Sequence, residues 1–200
     1  MKILVCISSV PDTTSKISFT DNQTQFNKAG ISFIIGPYDD YALARAVELR
    51  DQFGGTVTVL NVGLADTEPQ IRKALAIGAD DAVRIDADPT DSFFVAEQIA
   101  NYAAQHAFDL ILMGRETTDY NSGVVHGIVG ELLGMASFSP VMKLDIDGAT
   151  AKMVKEITIS IRNSAMTGTM TITDVTITAK DLPNGLRHMD TVSITKHVTI

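Results

Sequence analysis

The stretch TVTVLNVGLADTEPQIRKALAIGADDAVRI, residues 56–85, holds a strand, a helix and a second strand in immediate succession. Thr56–Val62 is a β-branched, largely apolar run, the pattern of a strand buried on both faces. The helix is expected to begin at Thr67, with Gln70 as its capping-box partner and Pro69 in the first turn. Ile71, Ala74 and Leu75 fall on one helical face, and Gly78 stands where a left-handed residue closes a helix. Ala82–Ile85 then reads as a short strand. A strand, a covering helix and a further strand predict a parallel pair joined by a right-handed crossover.

The same alternation extends on either side. Upstream lies an apolar run, Ile3–Ile7, and then a helix expected over Tyr41–Phe53, with Leu43, Ala46, Val47 and Arg50 on one face and Gly54-Gly55 ending it. Asp39 and Asp40 precede that helix and suit its cap and first turn. Downstream, Asp91 is placed to cap a helix running through Phe94, Val95, Ile99 and Ala103. Leu110–Met113 reads as a strand, and a last helix is expected over about Val124 to Leu133. Asp21-Asn22, between Ile17–Phe19 and Gln25-Phe26, marks an inserted hairpin. These elements predict an α/β fold: a three-layer parallel sheet with helices on both faces.

The pattern changes beyond residue 141. Met142–Asp147 and Thr150–Ile157, separated by Gly148-Ala149, read as an alternating hairpin. From Thr169 to Thr178 threonine alternates with apolar residues, with one slip at Asp174-Val175. Residues 1–156 hold twelve basic and twenty-one acidic side chains; residues 157–200 hold four and three, with ten threonines. We therefore expect an α/β domain over 1–156 and a β-rich extension over 157–200.

The chain has 200 residues and a net charge of −8. Such acidity argues against nucleic acid or anionic membrane as a partner, since both attract basic surfaces. One cysteine, Cys6, excludes an internal disulfide framework and any multi-cysteine metal or iron–sulfur site. Inside a strand a cysteine is most simply a small buried hydrophobe. His106, His188 and His197 share no ligand spacing, His126 near a helix start reads as a solvated or hydrogen-bonded residue, and no Gly-x-Ser-x-Gly elbow occurs. The opening residues have no signal-peptide pattern, so the expected location is cytoplasmic.

In an open parallel sheet, ligands bind beyond the carboxyl ends of the strands, where helix N-termini attract anions. Three loops fall there: Ser8–Asp12, Asn61–Asp66 and Gly114–Gly127. The third is long for a strand-to-helix connection and rich in glycine and small polar residues. It reads equally as a phosphate cradle or as a plain solvent turn, for it is neither a Walker loop nor a Gly-x-Gly-x-x-Gly fingerprint.

At these loops the chain resembles the β subunit of electron-transfer flavoproteins. The resemblance rests on Met1–Ile7 with Val10-Pro11-Asp12, on Gly36–Asp39 leading into Ala42–Leu49, on Val57–Gly63, and above all on Ile71–Asp80. Asp109–Arg115 and Asp119–Gly123 complete it, and it covers about residues 1–157. It implies bound AMP, or a second FAD in electron-bifurcating members. Cys6 and Val62 would line the adenine, and Gly36, Pro37, Tyr38 and Asp39 would form the wall beside it. Gly114, Asp119, Asn121, Ser122, Gly123, Val124 and Val125 would wrap the ribose and phosphates. It also implies a heterodimer with an α subunit, FAD shared with that subunit, and electrons delivered by acyl-CoA dehydrogenase or other dehydrogenases.

The chain departs from the family in three places. Gly36-Pro37-Tyr38 stands where Asn-Pro-Phe is usual, and Gly123-Val124-Val125 where Asn-Gln-Thr is common. After Ile157 no counterpart of the acidic-Gly-Gly turn or the dehydrogenase-docking segment is recognisable. A free-standing nucleotide-binding protein of the universal-stress type is the rival reading, and Ile71–Asp80 favours the flavoprotein. An ATP-pyrophosphatase-like enzyme would need a Ser-Gly-Gly loop where Ser8-Ser9-Val10-Pro11 stands.

Overall fold

The computed structural model describes residues 1–148, 150–159, 168–181 and 187–194. The chain forms two compact units, residues 1–129 and 130–200. The compositional boundary at 157 falls inside a strand of the second unit.

The first unit is built on a four-stranded parallel sheet. Its strands are β1 (Lys2–Cys6), β6 (Thr56–Val62), β7 (Asp81–Ile85) and β8 (Leu110–Met113), in the order β7-β6-β1-β8. Val5 lies beside Val59 on one side and Leu112 on the other. Ile3, Leu4 and Val5 are wholly buried, as are Val57 and Val59. Burial of successive residues, which point to opposite faces, means that both faces of the central strands are covered.

Three helices provide that cover: α1 (Pro37–Phe53), α2 (Glu68–Ile77) and α3 (Ser92–Ala104). From β1 the chain steps to β6 and then to β7, and only afterwards crosses back to β8 on the far side of β1. With right-handed crossovers, that reversal puts α3 on the face opposite α1 and α2. It also makes the gap between β1 and β8 the topological switch point of the sheet. Between β1 and α1 the chain inserts four short strands: β2 (Ser9–Pro11), β3 (Phe19–Thr20), β4 (Gln25–Phe26) and β5 (Phe33–Ile35). β3 and β4 form the expected hairpin, and β2 pairs with β5. α4 (Val125–Leu133) follows the loop after β8.

Several local expectations are corrected. α1 starts at Pro37, four residues before Tyr41; its cap is Gly36, with Pro37 in the first turn and Asp39 and Asp40 behind it. Its buried residues are Asp39, Leu43, Ala46 and Leu49, and Val47 and Arg50 lie at the margin of that stripe. The capping box on α2 does not form. The Thr67 hydroxyl donates instead to Asn61 Oδ1 at 2.7 Å, and Gln70 Nε2 donates to the Phe33 carbonyl at 2.8 Å. Gln70, not Leu75, therefore joins Ile71 and Ala74 on the buried face. Asp91 does cap α3, accepting from the Phe94 amide at 2.8 Å.

The Ile71–Asp80 stretch is an architectural joint. Gly78 has φ +139°, and a side chain there would press on Val47 of α1. Arg50 of α1 donates to the Gly78 carbonyl and to Asp80. Asp80 in turn accepts from the Val57 amide at 2.8 Å, at the amino end of β6. The stretch thus fastens α2 to α1 and to the sheet.

The second unit contains an antiparallel sheet ordered β12-β11-β10-β9. Its strands are β9 (Val141–Asp147), β10 (Thr150–Ile159), β11 (Gly168–Asp181) and β12 (Arg187–Ile194). Met153 of β10 lies opposite Leu144 of β9, and both are buried. Met153 pairs with Val175 and Lys155 with Ile172, so β11 carries one residue more than β10 across this step. The extra residue, a bulge, coincides with the slip in alternation at Asp174-Val175. The faces expected for Ile172, Val175 and Ile177 lie outside the described side chains.

Candidate crevice at the carboxyl ends of the strands

A cavity opens where the fold predicts it, beyond the carboxyl ends of β1, β6 and β8. Cys6, Asp39, Val62, Gly114, Asp119, Ser122, Gly123, Val124 and Val125 line it together. Those residues are separated by up to 119 positions along the chain, and the sheet topology brings them to one edge. Gly36, Pro37, Tyr38 and Asn121, which the resemblance also implies, are not among the lining residues. Gly36 and Tyr38 instead pack behind the wall, Gly36 against Asp39 and Ser8, and Tyr38 against Gly114.

Two further segments complete the lining. One is the first turns of α3, through Asp91, Ser92 and Val95, with Ile99 deeper in; the other is Ser8–Val10 after β1. The α3 contribution is absent from the sequence reading, although Asp91 signals it. A capped helix that follows β7 must start at the same sheet edge as the other loops. Ser92 and Ser122 approach to 3.0 Å between hydroxyls, linking the start of α3 to the loop after β8.

The character of the walls differs from side to side. Leu60, Val62, Val95 and Ile99 offer an apolar surface suited to a flat ring system. The loop after β8 is polar and tightly curled, with Asn121 at φ +50° and Gly123 at φ +59°. A Cβ built on Gly123 would make ordinary contact with the Arg115 carbonyl at 3.6 Å and with Glu116 Oε2 at 3.9 Å, without a clash. Arg115 lies over the Tyr38 ring at 5.7 Å and pairs with Glu116 at 3.3 Å.

Asp39 lies at the crevice floor. Its Oδ2 accepts from the Ser8 amide at 2.9 Å and the Ser8 hydroxyl at 2.5 Å, and its Oδ1 accepts from the Gly114 amide at 2.7 Å. Burial pushes its carboxyl above the ordinary range, the nearby Asp40 adds to the rise, and the bonds from Ser8 and Gly114 oppose it. The Cys6 thiol is pushed far up as well, by burial first and by the charge of Asp39 second. A thiol so held is no nucleophile. No cluster of side chains suited to a metal ion occurs among the described residues. Nor is any helix among them long and apolar enough to cross a membrane.

An open parallel sheet with a crevice at the switch point, apolar on one side and glycine-bearing on the other, defines an α/β domain of the doubly wound kind. Comparison of the chain with known proteins narrows the class. The electron transfer flavoprotein domain matches residues 23–179, and the chain belongs to that family. The match runs past the compositional change at 157 and into β11.

The chain is 34% identical over 161 residues to the electron transfer flavoprotein subunit beta of Bacillus subtilis, covering 78% of this chain and 62% of that protein. It is 35% identical over 156 residues to protein FixA of Azorhizobium caulinodans, with 72% and 54% covered. A third relative is the acryloyl-CoA reductase electron transfer subunit gamma of Anaerotignum propionicum, 34% identical with 68% and 52% covered. The chain thus spans between half and two thirds of the length of these relatives.

Proposed function

We propose that the chain acts as the β-type subunit of an electron transfer flavoprotein. It holds an adenine nucleotide in the switch-point crevice and pairs, in the cytoplasm, with an α-type subunit that carries the redox-active FAD. Electrons enter that pair from acyl-CoA dehydrogenase or another dehydrogenase. The observation that carries this reading is the convergence of Cys6, Val62, Gly114 and Ser122–Val125 on one crevice in a chain of this family.

The crevice suits the ligand. Val62, Val95 and Ile99 offer the apolar contact an adenine ring needs, and the Gly114–Val125 loop runs beside it for ribose and phosphate. AMP held there is structural, whereas a second FAD would add an electron-accepting ring. In keeping with the family, we assign the chain an electron-carrier role without a catalytic step of its own.

Acid extraction of the purified chain, followed by chromatography, tests the reading. AMP in stoichiometric amount and no FAD is the expected result. Stoichiometric FAD would instead indicate the bifurcating type, and a chain that neither retains nor takes up either nucleotide would remove the site.

A further inference from the structure

We propose that Asp39 is the positioning residue of the crevice: its carboxylate clamps the loop after β1 to the loop after β8 and so sets the opening between them. The proposal rests on the nucleotide reading for what the opening holds, and on geometry alone for the clamp.

Asp39 lies in the first turn of α1, where a carboxylate ordinarily serves its own helix. Here the side chain reaches across to other segments. Both of its oxygens are taken by donors distant in the chain, Ser8 through amide and hydroxyl and Gly114 through its amide. The α1 cap, Gly36, contributes no side-chain bond of its own. Asp39 is 5% exposed and its Ser8 and Gly114 partners are half-buried at the crevice, so losing one bond leaves a partly buried amide to find a new acceptor.

Two glycines make room for the clamp. A Cβ on Gly36 would stand 2.5 Å from Asp39 Oδ2 and 2.6 Å from Ser8 Oγ. A Cβ on Gly114 would collide with Asp39 Oδ1 and stand 2.9 Å from Tyr38 Cβ. Neither Gly36 nor Gly114 has a positive φ, so backbone conformation does not demand glycine at either place. Space does: for the carboxylate and the Ser8 hydroxyl at Gly36, and for the carboxylate and the first turn of α1 at Gly114.

An asparagine at 39 offers one acceptor oxygen and turns an NH2 group toward the other donor. It can keep Ser8 or Gly114, not both. Residue-resolved hydrogen exchange on the full chain, with calorimetric titration of AMP, compares wild type with Asp39→Asn and Gly36→Ala. In Asp39→Asn the Ser8 or the Gly114 amide is expected to exchange about tenfold faster or more. The Leu4 and Val59 amides in the sheet keep wild-type protection, and AMP binds about tenfold more weakly. Gly36→Ala crowds the same carboxylate and gives the same local pattern, and the double variant is no worse than the worse single one.

Wild-type protection at both amides in both variants would overturn the clamp. So would a loss shared equally by Leu4 and Val59, which would mark Asp39 as a general packing residue. If wild type takes up no AMP, the nucleotide reading falls, and the exchange data still decide the clamp.

Discussion

The side chain of Asn61 donates to the main-chain carbonyl of Ile7 at 2.9 Å, lacing the end of β6 to the chain just beyond β1. The same side chain accepts from Thr67, and Asn61 is 2% exposed. Asn61→Ala takes the side-chain donor from the buried Ile7 carbonyl, leaves the Thr67 hydroxyl with the Leu64 carbonyl alone, and opens a small void. We expect a loss of about 1–3 kcal/mol, read as a lower denaturant midpoint with an unchanged slope. An unshifted midpoint would mean that water replaces the amide without cost.

Asp80 predicts a specific acid response. The Val57 amide, and after it Arg50, hold its carboxyl below the ordinary aspartate value. A carboxylate whose folded-state value is lowered contributes stability that is present above the ordinary value and lost as pH falls through the lowered one. Asp80→Asn should therefore be less stable than wild type at pH 7, with the gap closing in strongly acidic solution. Urea midpoints at neutral and acidic pH measure it, and a gap independent of pH would contradict the assignment.

Gly123 tests the ligand's approach to the loop after β8. A valine Cβ there would stand in ordinary contact with the Arg115 carbonyl, with its γ carbons crowding the crevice beside the loop. AMP binding should weaken by about 1.5–3 kcal/mol for each amide bond displaced. Because φ is +59°, Gly123→Asn serves as the control, since asparagine tolerates this conformation with a polar side chain. Equal AMP affinity in wild type and Gly123→Val, by calorimetry, would place the phosphate elsewhere.

The Cys6 thiol should be silent in the folded chain. It is buried and held protonated by its surroundings, so a disulfide reagent at mildly alkaline pH should react only as the sheet opens. Reaction should become fast in denaturant. Rapid labelling of the native chain would show that the β1 end of the crevice is open to solvent.

The first unit should stand without the tail. The parallel sheet lies within residues 1–129 with its own buried strands. A chain ended at residue 156 is expected to keep cooperative unfolding and sheet-amide protection. Loss of both would show that the α/β domain needs the β-rich extension to fold.

Much of this was legible from residue pattern, and the exceptions share a cause. The strand Thr56–Val62, the cap at Asp91, the inserted hairpin and the helix stop at Gly78 follow from neighbouring residues, and each is found. Thr67 and Gln70 look like a capping box because their local spacing fits one. Their real partners, Asn61 and the Phe33 carbonyl, come from other elements. α1 begins early because Gly36-Pro37 is itself a start signal, which the apolar periodicity from Tyr41 onward obscures. The crevice was readable as three loops at strand ends, since topology alone places them. The clamp at Asp39 was not, for its partners lie 31 and 75 residues away.

The Ile71–Asp80 joint bears on how such chains diverge. The residues that most clearly betray kinship fasten helices and the amino end of β6, whereas the crevice lies at the opposite, carboxyl end of the strands. A change in the joint reaches helix packing and the amino end of β6, whereas a change at Gly123–Val125 reaches the crevice wall, so a likeness confined to the joint says nothing of the crevice.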